Sequence, residues 1–124
     1  MQRTHGRAHF FAFAEFEDSQ DPEFVGGVYF SHFFVGSESS CRIAYWIGTR
    51  YHGMGLATEA VRGACRFAFN NFRRVEAFVA EDNVASQRVL ERNGFHMEGF
   101  CRENLQVNGK WTDHILYAIL RNDQ

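Results

Sequence analysis

The feature that most constrains this chain is a change of hydrophobic period at one place. Up to residue 47 the apolar residues come in aromatic and β-branched runs that read as strands. From Leu56 to Phe69 they fall instead at Leu56, Ala60, Val61, Ala64, Phe67 and Ala68, the spacing of one helical face. Between the two lies Arg50-Tyr51-His52-Gly53-Met54-Gly55, where two glycines sit one residue apart. A strand that hands over to a helix through a glycine turn points to a layered sheet-and-helix fold. Either that turn is merely tight, or its backbone must come close to something.

The other elements follow from local signals. Residues 8–16, 24–34 and 42–47 read as three strands, joined by polar turns at 17–23 and 36–40, and suggest an antiparallel meander. Gly26 and Gly27 mark a bulge in the second. Asn70-Asn71 suits the end of the first helix, and 75–80 is a short strand. Asp82 and Asn83 cap a second helix at 84–92, and Gly94 stands at its C′ position. Residues 96–107 and 110–120 flank Asn108-Gly109, a strong hairpin signal. The order is β-β-β-α-β-α-β-β in a single domain over residues 1–124, an α+β fold with a mixed, mostly antiparallel sheet flanked by helices.

Composition narrows the function. A net charge of −2 and a pI near 6.3 do not suit a nucleic-acid binder. The acidic residues Glu15, Glu17, Asp18, Asp21 and Glu23 read as a solvated loop, or as a field that steers a cationic substrate. Cys41, Cys65 and Cys101 form no CxxC pair and read as buried small hydrophobes in a reducing compartment. His5 and His9 lie on a strand or tail segment, and no metal site is expected. No apolar run is long enough to span a bilayer and no signal-peptide pattern appears, so a cytoplasmic protein is expected.

The glycine turn carries the chemistry. Free N–H groups at a helix N-terminus point outward, and the macrodipole is positive there. Glycines let that backbone approach an anion without a Cβ in the way. A phosphate or pyrophosphate is the natural ligand; a plain strand-to-helix turn is the alternative. A P-loop would need GxxxxGK[ST], which is absent. A Rossmann fingerprint would need a third glycine where Thr58 stands.

These residues resemble the GNAT superfamily of N-acetyltransferases. Arg50-Tyr51-His52-Gly53-Met54-Gly55 fits that family's (Q/R)-x-x-G-x-(G/A) signature, and the preceding AYWIG resembles its fourth strand. EDNVASQRVLERNGF resembles the segment that holds an Asn-x-x-Ser step and ends in Gly-Phe. MEGFCRENLQVNGKWTDHILYAIL looks like the end of the RimJ/RimL branch, which acetylates ribosomal-protein N-termini. The resemblance runs from about residue 24 to residue 120.

The resemblance implies a GNAT fold and direct acetyl transfer from acetyl-CoA, as cosubstrate, to a primary amine such as a protein or peptide N-terminal α-amine. The pyrophosphate is then held by N–H groups of Tyr51, His52, Gly53, Met54, Gly55, Leu56 and Ala57, with Thr58 adding a hydroxyl. Backbone groups near Trp46, Ile47 and Gly48 face the pantetheine arm and thioester, where an N–H can serve as oxyanion donor. Asn83 and Ser86 match positions that touch the pantetheine near the sulfur, and Ser86 is the candidate to deliver a proton to the thiolate. Both also have plain structural roles, Asn83 as an N-cap and Ser86 as a local hydrogen-bonder in the first helical turn. Arg88 and Arg92 either meet coenzyme phosphates or are solvated charges. Glu103 is the candidate base, with Asp113 and His114 behind it, and Tyr117 is a candidate acid; attack by an already neutral amine needs no base.

Relatives of this type begin with a strand and two helices that shape the acceptor site, whereas this chain begins at what looks like the second strand. The resemblance therefore implies an exposed sheet edge and apolar surface that a partner, for example a second copy in a homodimer, would cover. Two other readings stay open: acetylation of small-molecule amines, and a non-catalytic acyl-CoA-binding module.

Overall fold

The computed structural model describes residues 2–4, 7–18 and 20–123, so His5 lies outside the described residues. The aromatic runs pair as anticipated. Strands Ala8–Ala14 (β2), Glu23–Val35 (β3) and Ser40–Ile47 (β4) form an antiparallel meander. A short strand, Gln2–Thr4 (β1), which the sequence reading did not contain, pairs with Phe33–Val35 at the far end of β3. Helix Leu56–Ala68 (α1), strand Arg74–Ala80 (β5), helix Val84–Arg92 (α2) and the hairpin His96–Val107 (β6) and Lys110–Leu120 (β7) complete the order. The sheet runs β1-β3-β4-β5-β7-β6, with β2 beside β3 on the edge away from β4. Among the described residues only the β4–β5 pairing is parallel, which makes the sheet mixed and mostly antiparallel.

The core follows from the two periods. On α1 the buried residues Val61, Cys65 and Ala68 recur at i, i+4 and i+7. On β5 they are Val75, Ala77 and Val79, every second residue. The two stripes meet Val28, Phe30 and Ile43 in one cluster, closed by Leu90 of α2 and Tyr117 of β7. The two helices share this face and touch, and Asn93 Nδ2 donates to the Thr58 carbonyl at 3.2 Å. On the opposite face Phe11, Phe13, Phe24 and Trp46 stay exposed, their rings 5.7 Å from one to the next through Phe24.

The bulge expected at Gly26-Gly27 is present: Ala12 pairs with Gly26 but Phe13 with Phe24, leaving Val25 extra on β3. Gly26 is required for packing, because a Cβ there would overlap the Trp46 carbonyl oxygen of β4. Two local expectations change. Glu23 is no loop residue; it opens β3, half-buried, and accepts a hydrogen bond from the Tyr51 hydroxyl at 2.7 Å. Cys41 and Cys65 are buried, but Cys101 is only half-buried.

Candidate functional site

The site begins where β4 and β5 part. Their parallel ladder holds only Ser40↔Arg74, Cys41↔Val75 and Arg42↔Glu76. Beyond Arg42 the strands have no cross-strand pairing, although β4 runs on to Ile47 and β5 to Ala80. The amides of an antiparallel strand point alternately to its two sides. The Gly48 N–H donates to the Val25 carbonyl at 2.8 Å, so by alternation the Ile47 N–H points away from β3 into the gap. Gly48 itself is thereby removed as an oxyanion donor.

The glycine turn closes the top of the gap. Thr49–Tyr51 form one turn of 3₁₀ helix, and His52 Nε2 donates to the Ile47 carbonyl at 2.7 Å, tying the turn to the strand end. Gly53 and Gly55 have φ of 80° and 75°, the left-handed region in which side chains are strained. A Cβ at either would meet no protein atom within 4 Å, so the glycines keep space open as well as permitting the turn. Gly55 is the N-cap of α1 and offers no side-chain cap; the first intrahelical bond runs from the Glu59 N–H to the Gly55 carbonyl. The N–H groups of Leu56, Ala57 and Thr58 therefore have no intrahelical acceptor.

The other wall is α2. Asn83 caps it, its Oδ1 accepting from the Ser86 N–H at 3.1 Å, as its plain structural role requires. The Ser86 hydroxyl does not bond locally. It is 2.6 Å from the Tyr45 hydroxyl, which reaches across from β4. The phenol also lies 3.2 Å from the Ser86 carbonyl, to which it can donate. Burial pushes the Tyr45 phenol above its ordinary value, and the Ser86 hydrogen bond pulls the other way.

These pieces surround one cleft of about 520 Å³. Trp46, Ile47, Tyr51, His52, Gly53, Gly55, Leu56, Ala57, Thr58, Asn83 and Ser86 all line it, and so do Arg88 and Arg92. Met54 does not; it is 54% exposed. The lining also includes Tyr45, Ala85 and Val89, which the sequence reading missed. Tyr45 was findable, since it stands two residues before Ile47 and shares its face.

The candidate bases, and Tyr117 as candidate acid, lie elsewhere. Glu103 is on the same face as Leu105 only if β6 is regular, and it is not: the register slips between Cys101 and Leu105, and Glu103 has φ of 45°. Its N–H donates to Asp113 Oδ1 at 2.7 Å. Both line a separate depression with Ala80, Asp82 and Trp111. His114 is buried, its Nδ1 3.1 Å from Asn104 Oδ1 and 3.0 Å from the Thr112 carbonyl. Tyr117 is buried in the core, where burial raises its phenol. Among the described residues no group of His, Cys, Asp and Glu is placed to hold a metal, and no helix is long and apolar enough to cross a membrane.

Comparison with known proteins agrees with this geometry. The acetyltransferase (GNAT) domain family matches residues 1–96. A probable N-acetyltransferase of Bacillus subtilis (strain 168), YjcK, is 38% identical over 107 residues, covering 85% of this chain and 59% of that protein. The ribosomal protein uS5-alanine N-acetyltransferase of Escherichia coli (strain K12) is 33% identical over 125 residues, covering 99% of this chain and 64% of that protein. The chain thus spans about three fifths of the length of these relatives. The structure of Mycobacterium smegmatis RimJ in complex with CoA-disulfide superposes with a TM-score of 0.78 at 35% identity, over 82% of this chain and 49% of that one. A family match over most of the chain, on a sheet that opens beside a glycine turn, leaves one conclusion: this chain belongs to the GNAT acetyltransferase family.

Proposed function

We propose that this chain binds acetyl-CoA in the cleft between β4 and β5 and transfers its acetyl group directly to a primary amine, the α-amine of a protein or peptide N-terminus. The observation that carries this reading is the coincidence of three devices in one cleft: uncapped amides behind two open glycines, a strand-edge N–H in a gap, and a paired hydroxyl. The N–H groups of Leu56, Ala57 and Thr58 and the positive end of α1 suit a pyrophosphate, and Arg88 and Arg92 on the facing wall add charge. The Ile47 N–H suits a thioester carbonyl; one such donor is worth about 3 kcal/mol in acyl transfer. The Ser86 hydroxyl gives its proton to the departing thiolate and is reprotonated from water, while the Tyr45 phenol, which burial keeps protonated, donates a hydrogen bond that steadies the serine oxygen. The proton released by the attacking amine passes to water, since Glu103 lies outside the cleft lining. The acceptor class is supported by the Escherichia coli relative, whose name specifies an alanine of a ribosomal protein.

The test is isothermal titration with acetyl-CoA, with coenzyme A and NADPH as controls, followed by turnover on peptides with free and blocked N-termini. Micromolar binding of acetyl-CoA and turnover of the free peptides alone is expected. A folded chain that does not bind acetyl-CoA overturns the proposal. Binding without turnover on any amine overturns the catalytic half of it.

A further inference from the structure

The last peptide of β4, between Ile47 and Gly48, is held at both ends. Its N–H, on Gly48, donates to the Val25 carbonyl at 2.8 Å, and its carbonyl accepts from His52 Nε2 at 2.7 Å. The second bond answers a problem set by the parting of the strands. The N–H and C=O of one residue point to the same side of an extended strand. The Ile47 carbonyl therefore faces the gap together with the Ile47 N–H, beyond Arg42, where the β4–β5 ladder ends. Within a ladder a neighbouring strand would supply the donor; here an imidazole from the next turn supplies it. The backbone aims that ring. His52 ends the 3₁₀ turn in an extended conformation, with φ of −67° and ψ of 150°, and its own N–H is bonded to the Thr49 carbonyl at 3.2 Å. The ring is thus what His52 brings to the cleft. A carbonyl oxygen only accepts, so Nε2 carries the proton, and in the neutral ring Nδ1 does not.

We propose that the His52 side chain is a positioning residue for acyl transfer: it occupies the Ile47 carbonyl, so that the free edge of β4 offers the thioester a donor and no competing acceptor. The inference rests on acetyl-CoA lying in the cleft, as proposed above. Acyl transfer gathers negative charge on the thioester oxygen, and catalysis favours dipoles already aimed at that charge. An uncovered carbonyl beside the Ile47 N–H would point the negative end of a peptide dipole, about 3.5 D, into the same space. It would oppose the donor, and the strand end would be freer to turn. His52 removes both effects, because its Nε2–H covers the oxygen and, with the Val25 bond, fixes the peptide plane. The ring acts through that peptide and needs no contact with the reacting atoms. His52 is exposed, lines the cleft and takes no part in the core, so it can be replaced without loss of the fold.

The test compares His52→Phe, a ring with no donor, with His52→Gln, whose amide nitrogen reaches the place of Nε2. Infrared difference spectra of bound acetyl-CoA, isotopically labelled at the thioester carbonyl, read the polarisation of that bond directly. The carbonyl stretch should fall on binding to the wild-type chain and to His52→Gln, and stay nearer its solution value in His52→Phe. On a peptide with a free N-terminus, kcat should drop about fivefold in His52→Phe, the worth of one ordinary hydrogen bond, while the Kd for coenzyme A stays within about twofold. His52→Gln should recover most of the loss. A carbonyl stretch and a kcat that His52→Phe leaves unchanged overturn the proposal. So does a His52→Phe chain that binds coenzyme A and acetyl-CoA equally less well with kcat at saturation unchanged, since the bond then only steadies the turn. Both results leave acetyl-CoA binding in the cleft standing. A folded wild-type chain that binds no acetyl-CoA removes that reading, and this one with it.

Discussion

Replacing Gly53 separates the ligand-binding view of the glycine turn from the purely structural one. Its φ of 80° makes any side chain strained, and alanine there costs about 1–2 kcal/mol of backbone energy. Asparagine tolerates the left-handed region best, and aspartate has nearly the same shape, so Gly53→Asn against Gly53→Asp isolates charge. No protein atom lies within 4 Å of the new Cβ, so neither variant suffers a steric clash inside the chain. Take a carboxylate–phosphate separation of roughly 6 Å for a pyrophosphate bound against this turn. With an effective dielectric of about 40, one pair of like charges then costs about 1.4 kcal/mol, a factor of about ten in affinity. Titration calorimetry with acetyl-CoA should therefore find Gly53→Asp at least tenfold weaker than Gly53→Asn, and the gap should narrow in high salt. Equal affinities for the two variants would refute the anion cradle.

Ser86→Ala should leave acetyl-CoA affinity within about threefold and lower kcat at least tenfold, with Tyr45→Phe lowering it less, because the first removes the acid and the second only the group that steadies it; wild-type turnover in Ser86→Ala removes Ser86 from the chemistry. Gly26→Ala should destabilise the fold by several kcal/mol in urea unfolding, since the new Cβ overlaps the Trp46 carbonyl and neither strand can yield; a loss under about 1 kcal/mol would contradict the tight β3–β4 approach. Burial lifts the Cys41 and Cys65 thiols to about 12, so the unfolded chain ionises them first. Stability should then fall as pH rises from 9 toward 12, by about 1.4 kcal/mol per pH unit for each thiol, and a Cys41→Ala, Cys65→Ala double variant should show a flatter decline.

What the sequence made legible is what local periods encode. The bounds of α2, β6 and β7 match the reading, because Asn83, Gly94 and Asn108-Gly109 act through their own backbone geometry. What it hid depends on distant partners. Nothing near Glu23 announces that a tyrosine 28 residues later will hold it in place. Glu103 was misplaced because β6 carries two extra residues between Cys101 and Leu105, which takes Glu103 itself out of the strand's alternation at a φ of 45°, and no residue type marks that insertion. The face of Tyr45 was legible, but its role was not, because that role exists only once α2 brings Ser86 within 2.6 Å. β1 is three residues long, too short for any period.

The short ladder between β4 and β5 has a mechanical consequence. It divides the sheet into two leaves, β1 to β4 and β5 to β7, joined at one end by three residue pairs and spanned by the contact between α1 and α2. Such a hinge opens by fraying from its free end, and its last closed rung is Arg42 with Glu76. Amide exchange at Ile43 and Glu76, whose N–H groups alternation turns toward the opposite leaf, should thus report the angle between the leaves. A molecule lodged in the gap bridges them where strand pairing does not, and should slow exchange on both sides at once.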